Sequence, residues 1–241
     1  MELIALAIAP GIAICLYLFY TDVFNREPKK NLIISFFLGC LAILPAIFFE
    51  KTFEYTQNGT ILGTAVFAYA IVGFSEEFSK YLGLRFYSYN QKAFDEPLDG
   101  IVYAVMVSMG FATLENLLYA YKFQSMQVQV MRMFLSVPAH ATFAVIMGYF
   151  IGKAKFDSKK SIGLMITGLA GAILFHGSFD FFLFLTDPNK KMVSDIVGDS
   201  LLIGGALASF IIALVLSRKL LRRSKLISKQ MFTNNPNVTG V

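Results

Sequence analysis

The chain has 241 residues, of which 56% are hydrophobic and only 15% charged, and its mean hydropathy is +0.61. Soluble domains carry about 25% charged residues, so a soluble globular protein is excluded and a helical membrane protein is expected. The net charge of +5 and pI near 9.1 do not call for nucleic acid, because the basic residues sit in short segments between apolar blocks, where they report membrane orientation.

Blocks near the bilayer-spanning length of about 20 residues occur at 3–20, 32–49, 64–87, 99–121, 131–152, 162–185 and 199–217. The expectation is an all-α polytopic membrane protein, a bundle of about seven transmembrane helices. The first block starts Met-Glu rather than with basic residues and has no small-residue cleavage site after it, so it reads as a retained anchor. Cys15 and Cys40 lie inside the first two blocks and read as small buried hydrophobes, not as a disulfide. The third block is interrupted by Ser75-Glu76-Glu77-Phe78-Ser79-Lys80. The fourth carries Glu115 and Asn116, with Asp99 at its edge, where water can solvate it. The fifth carries His140 two residues after Pro138, which kinks the helix or delays its start. The sixth carries His176 and Asp180, and both it and the seventh are rich in Gly, Ala and Ser, which allow close helix packing. Residues 1–225 read as one membrane domain, and 226–241 as a short tail expected to be disordered.

On alternate sides of the membrane, 15 of the 21 Lys and Arg fall on one side and five on the other, with Lys80 inside a span. The positive-inside rule then puts the amino terminus outside and the carboxyl terminus in the cytoplasm. The basic run from Arg218 to Lys225 suits contact with anionic lipid headgroups.

Ionisable groups in hydrocarbon are costly and point to function. Here they are Glu76, Glu77, Lys80, Glu115, His140, His176 and Asp180, and the two histidines are the only ones in the chain. His176 and Asp180 are four residues apart, so they share a helix face and the carboxylate can orient the imidazole. Glu76 and Lys80 are also four apart. That spacing lets Lys80 neutralise Glu76 and leaves Glu77 to face another group. Counting residues from the span ends at 1.5 Å each puts all these groups near mid-membrane or slightly outward of it. Such a set suits hydrolysis: a glutamate activates water, and a histidine supplies a proton or a hydrogen bond. The same groups suit a divalent metal such as zinc held by Glu76, Glu77, Glu115, His140 and His176. The sequence leaves the two open, along with a proton- or ion-coupled transporter and a non-catalytic scaffold or immunity-type protein.

Four motifs give this set a resemblance. Glu76-Glu77-x-x-Lys80, Phe111-x-x-x-Glu115-Asn116, His140 and His176-x-x-x-Asp180 follow the order and span placement of the PrsW family of intramembrane proteases. That family is related to the CAAX-prenyl endopeptidase and bacteriocin-processing superfamily. Flanking text agrees at Ala9–Ala13, Phe94–Tyr103 and Met147–Ala154, so the resemblance covers about residues 5–185. It implies a multi-pass protease of the bacterial plasma membrane with Glu76, Glu77 and His176 as catalytic residues. Lys80, Glu115, Asn116, His140 and Asp180 would be supporting ones. It also implies a single-pass membrane protein as substrate, an anti-sigma factor cut at its first site in regulated intramembrane proteolysis during a stress response. The chain departs from the family at Ala144, where a glycine is usual, and from the wider superfamily at Glu115, where a histidine is usual.

Overall fold

The computed structural model describes residues 2–187 and 193–234. Lys190 and Lys191, which enter the charge reading above, lie outside the described residues, as does the tail from 235. Seven helices are long and apolar enough to cross a membrane. They are α1 (Glu2–Thr21), α2 (Lys29–Thr52), α3 (Ile61–Asn90), α4 (Pro97–Phe123), α5 (Met126–Phe156), α6 (Ser161–Phe184) and α7 (Asp199–Asn234). A helix satisfies its own backbone groups, which hydrocarbon cannot do, and this is why each apolar block takes that form.

The bundle is organised around α4. In its most apolar window 78% of residues are buried and in that of α5 67%, against 22–44% in the other five, so α4 and α5 form the centre and the rest present one face inward. Close approach at the centre is permitted by glycine. A Cβ on Gly39 of α2 would collide with the carbonyl of Val107 on α4, and one on Gly110 of α4 with the carbonyl of Phe36 on α2.

Two helices are irregular, and both irregularities lie beside the intramembrane charges. In α3 the segment Val66–Gly73 is π-helical, immediately before Glu76. Such segments recur at functional sites because the extra residue in a turn re-aims the side chains that follow. In α5 the segments Met126–Phe134 and Ser136–Phe156 are separated at Leu135. Pro138 is third in the second segment, in the first turn, where its missing N–H costs no helical hydrogen bond. The break therefore comes just before the proline.

Two expectations need correction. Residues 226–234, assigned to a disordered tail, continue α7 to Asn234. Their small face explains it: Ser224 and Ser228 are buried, and Phe232 stacks on Phe24 at 6.1 Å. Asp99, expected to meet water at a span edge, is fully buried at the start of α4.

Candidate active site

The local chemistry starts on α3. Glu76, Glu77 and Lys80 lie about one helical turn apart on α3, Lys80 being i+4 and i+3 to the two acids, and all three are buried. Lys80 Nζ donates to Glu76 Oε2 at 3.0 Å and to Glu77 Oε1 at 2.8 Å, and lies 3.2 Å from His140 Nδ1. It also lies 4.0 Å from the centre of the Phe111 ring. The i,i+4 spacing suggested that Lys80 would neutralise Glu76 alone; instead its ammonium bridges both carboxylates and a histidine. A buried charge is tolerable only when so compensated.

His176 reaches this turn from α6. Its Nδ1 is 2.9 Å from Glu77 Oε1, and its Nε2 is 3.2 Å from Asp180 Oδ2 and 3.8 Å from Glu76 Oε2. Carboxylate oxygens only accept, so a proton is called for on each ring nitrogen, on Nδ1 toward Glu77 and on Nε2 toward Asp180. Phe143 stacks on the other side of the imidazole, with ring centroids 5.2 Å apart. The approach of α6 to α3 depends on Gly177, where a Cβ would collide with the Tyr69 ring. Tyr69 and Ser178 share a hydrogen bond of 2.9 Å at the same crossing.

His140 comes from α5 and is held from both sides. Lys80 faces its Nδ1, while its Nε2 is 3.0 Å from Glu115 Oε2. Glu115 in turn lies 2.7 Å from Arg132 Nη2, a contact of charge rather than of an aligned N–H. Arg132 Nε donates to Asn116 Oδ1 at 2.6 Å, and its guanidinium covers the Tyr119 ring. The two imidazoles meet edge to face at 5.1 Å.

These groups border a cavity of about 980 Å³. Glu76, Glu115, His140, His176 and Asp180 line it, and it reaches the bundle end where Lys51, Glu54 and Lys122 are exposed. The walls near that end are apolar, from Ile43 and Ile47 on α2 to Leu183 and Phe184 on α6. Glu77 is not among the lining residues. It sits behind Lys80 and His176, next to Ser108 and Ala144, with Oε2 meeting no donor among the described residues. The methyl of Ala144 therefore lies behind the acid pair and does not narrow the cavity.

The structure thus brings all eight candidate residues into one network, with Glu76 toward the cavity and Glu77 away from it. Two members were missed. Arg132, one of the five basic residues on the sparsely charged side, is the partner of Glu115. Glu50 on α2 lines the cavity, 3.5 Å from the Ser75 hydroxyl. Both sit near span ends, where a charged residue is ordinary and carries no signal.

One ligand atom from each of Glu76, Glu77, His140 and His176 lies within 4.8 Å of the others. Nitrogen and carboxylate oxygen donors so placed fit a zinc-class ion. Lys80 stands among the same donors, so a dication seated there would take over its charge-neutralising role. Glu115, also considered as a ligand, falls outside this set; it holds the far nitrogen of His140, as outer partners of a metal-bound histidine do.

A family model described as "PrsW family intramembrane metalloprotease" matches residues 27–216. Protease PrsW of Bacillus subtilis (strain 168) is 38% identical over 182 residues, 75% of this chain and 82% of that protein. Protease PrsW of Geobacillus kaustophilus (strain HTA426) is 36% identical over 182 residues, 76% and 80% of the two chains. Protease PrsW of Clostridioides difficile (strain 630) is 32% identical over 191 residues, 77% and 80%. No solved structure matches. With the match running through α2 to α6 and into α7, and with the acid–histidine network inside it, the chain belongs to the PrsW family of intramembrane proteases.

Proposed function

We propose that this protease cuts a single-pass membrane protein at the extracytoplasmic end of its span, in the plasma membrane of a bacterium. The substrate would be an anti-sigma factor, and the cut the first in a regulated intramembrane cascade. The reading rests above all on one observation: Glu76 and His176 face a cavity of a size suited to an extended peptide, while their charge is balanced from behind by Lys80 and Glu77. The loop charges support the orientation, since the cavity reaches the bundle end poorer in Lys and Arg.

In this mechanism Glu76 accepts a proton from a water at the cavity wall. The water oxygen bonds to the scissile carbonyl carbon, and the carbonyl π electrons move to its oxygen. As the tetrahedral species collapses, the C–N bond breaks and His176 Nε2 donates a proton to the leaving nitrogen. The proton on Glu76 then passes to His176, closing the cycle with water consumed and an acid and an amine released. Glu77 and Asp180 hold the imidazole at its two nitrogens, and the Lys80 ammonium bridges the acid pair from behind. The His140–Glu115–Arg132 chain fixes the opposite wall. A zinc-class ion, if bound by Glu76, Glu77, His140 and His176, supplies Lewis acidity toward the carbonyl and the water.

The test is reconstitution in detergent with a single-pass substrate labelled at both ends, with and without chelator. Cleavage on the cavity side of the span, abolished in Glu76→Gln, is expected. Failure to cut any anti-sigma-type span while cutting others would overturn the substrate class. Orientation is tested separately, with Tyr55→Cys expected to react with an impermeant maleimide in intact cells and Lys159→Cys only after permeabilisation.

A further inference from the structure

A second group of buried carboxylates lies at the other end of α4. Asp22, just after α1, Glu27 before α2, and Glu96 and Asp99 at the start of α4 are all 0–2% exposed. One oxygen from each of Asp22, Glu96 and Asp99 lies within 4.8 Å of the others. Sixteen residues of helix separate Asp99 from Glu115, about 24 Å at the α-helical rise, so this group is remote from the catalytic cavity.

Part of each acid is accounted for. Asp99 Oδ2 accepts the amides of Asp95 and Glu96 at 2.8 Å each, capping α4. Asp22 Oδ2 accepts the Glu27 amide at 3.1 Å, and Glu27 Oε2 accepts the Tyr103 hydroxyl. The remaining oxygens have no such role. Asp22 Oδ1, Asp99 Oδ1, Glu27 Oε1 and both oxygens of Glu96 are buried and meet no donor among the described residues. Around Glu96 the Ser228 hydroxyl and the Asn25 amide approach, and the Asp99 amide faces it in a capping-box arrangement, but neither Glu96 oxygen is within full hydrogen-bond geometry of a donor among the described residues. None of the four acids makes an ion pair among the described residues. Of the cations that feel these acids, Arg26 donates its Nε to the Asp22 carbonyl and Lys155 its Nζ to the Tyr89 carbonyl instead.

We propose that Asp22, Glu96 and Asp99, with Glu27 beside them, bind a hard divalent cation of the Mg²⁺, Mn²⁺ or Ca²⁺ class. Oxygens sharing one ion at ~2.0–2.6 Å lie no more than ~4–5 Å apart, which the observed spread satisfies. The donors are all carboxylate oxygens, without histidine or cysteine, which selects hard cations over zinc. Unpaired carboxylates are costly to bury, and a dication removes that cost by neutralising them together. Burial pushes the Asp22 carboxyl up to about 6, Glu96 to about 7 and Glu27 to about 8. The bound ion ties the α1–α2 loop to the first turn of α4, while the end of α7 covers the site through Ser228, whose hydroxyl accepts the Leu98 amide. Its role is to fix the base of the helix that carries Glu115.

Purified full-length protein carrying Glu76→Gln and His176→Ala, which removes catalytic donors, is titrated with Mn²⁺ and followed by electron paramagnetic resonance. One saturable site, competed by Mg²⁺ or Ca²⁺, is expected. Adding Glu96→Gln or Asp22→Asn to that background should weaken binding by about tenfold or more, with an unchanged gel-filtration profile. In otherwise wild-type protein, millimolar Mg²⁺ should raise the melting temperature above its value in chelator, and Glu96→Gln should abolish that shift. Absence of saturable Mn²⁺ binding, or binding unaffected by Asp22→Asn and Glu96→Gln, overturns the proposal. A melting temperature insensitive to every hard cation at pH 8 does so too, and leaves the acids sharing protons among themselves. If Glu96→Gln does not fold, the parent titration and Asp22→Asn still decide.

Discussion

Asp180 offers the sharpest test of how the imidazole works. It touches His176 Nε2 at 3.2 Å, while Glu77 holds Nδ1 at 2.9 Å. Asp180→Asn keeps the shape and removes one charge-assisted hydrogen bond, worth about 1.5–3 kcal/mol. At 1.36 kcal/mol per factor of ten, that is about a 10- to 150-fold loss in kcat/KM if the bond is fully used in the transition state. Glu77 remains on the other nitrogen, so the loss should stop there, whereas His176→Ala should remove the step altogether. The double variant should be no worse than His176→Ala, because Asp180 acts only through that ring. Initial rates of substrate cleavage for all four members of the cycle, with expression and elution matched, provide the measurement. Losses that multiply in the double variant would mean that Asp180 contacts substrate directly, which its place on the cavity wall permits, and would refute the positioning role.

Glu77→Gln should abolish cleavage although Glu77 does not face the cavity, since Lys80 and His176 both lose their charged acceptor; near wild-type turnover would remove Glu77 from the mechanism. Gly177→Leu should destabilise the bundle by about 1–3 kcal/mol through overpacking against Tyr69. Read as a lower melting temperature, it should be partly rescued by Tyr69→Ala if the clash is the cause. In chelator, stability should fall as pH rises from about 5 to 8. The raised acids Asp22, Glu96 and Glu27 keep protons in the folded state that the unfolded chain has already released, so the unfolded state binds fewer protons and ∂ΔG/∂pH is negative. A melting temperature that climbs over that interval would contradict the burial of these groups.

The residues of the site were readable in the chain because hydrocarbon makes ionisable groups conspicuous. Glu76, Glu77, Lys80, Glu115, His140, His176 and Asp180 stand inside apolar blocks where each needs a partner. The i,i+4 spacing of His176 and Asp180 appears in the structure as a direct contact. Spacing also tells which residues share a face, but not which way the face points. The carboxylate that meets the cavity, Glu76, and the one that lies behind, Glu77, were therefore not distinguishable. Arg132 and Glu50 were invisible for the converse reason: near span ends a charge has water or headgroups as an alternative, so its presence says nothing about a partner.

Sequence alone determined that this is a seven-helix membrane protein with a polar centre, since the length of each apolar block and the cost of charge in lipid are local properties. Only tertiary packing decided the rest. Glycine contacts set how closely α2 and α4, and α3 and α6, approach. The π-helical stretch in α3 and the break at Leu135 turn side chains by amounts that no periodicity records. Asp22, Glu27, Glu96 and Asp99 are ordinary loop and cap acids along the chain, and become a buried cluster where the α1–α2 loop meets the start of α4, with the end of α7 reaching them through Ser228. Burial and mutual distance are properties of the assembled bundle, and they turn carboxyl groups into an acid–histidine network beside the cavity in one place and a candidate cation site at the start of α4 in another.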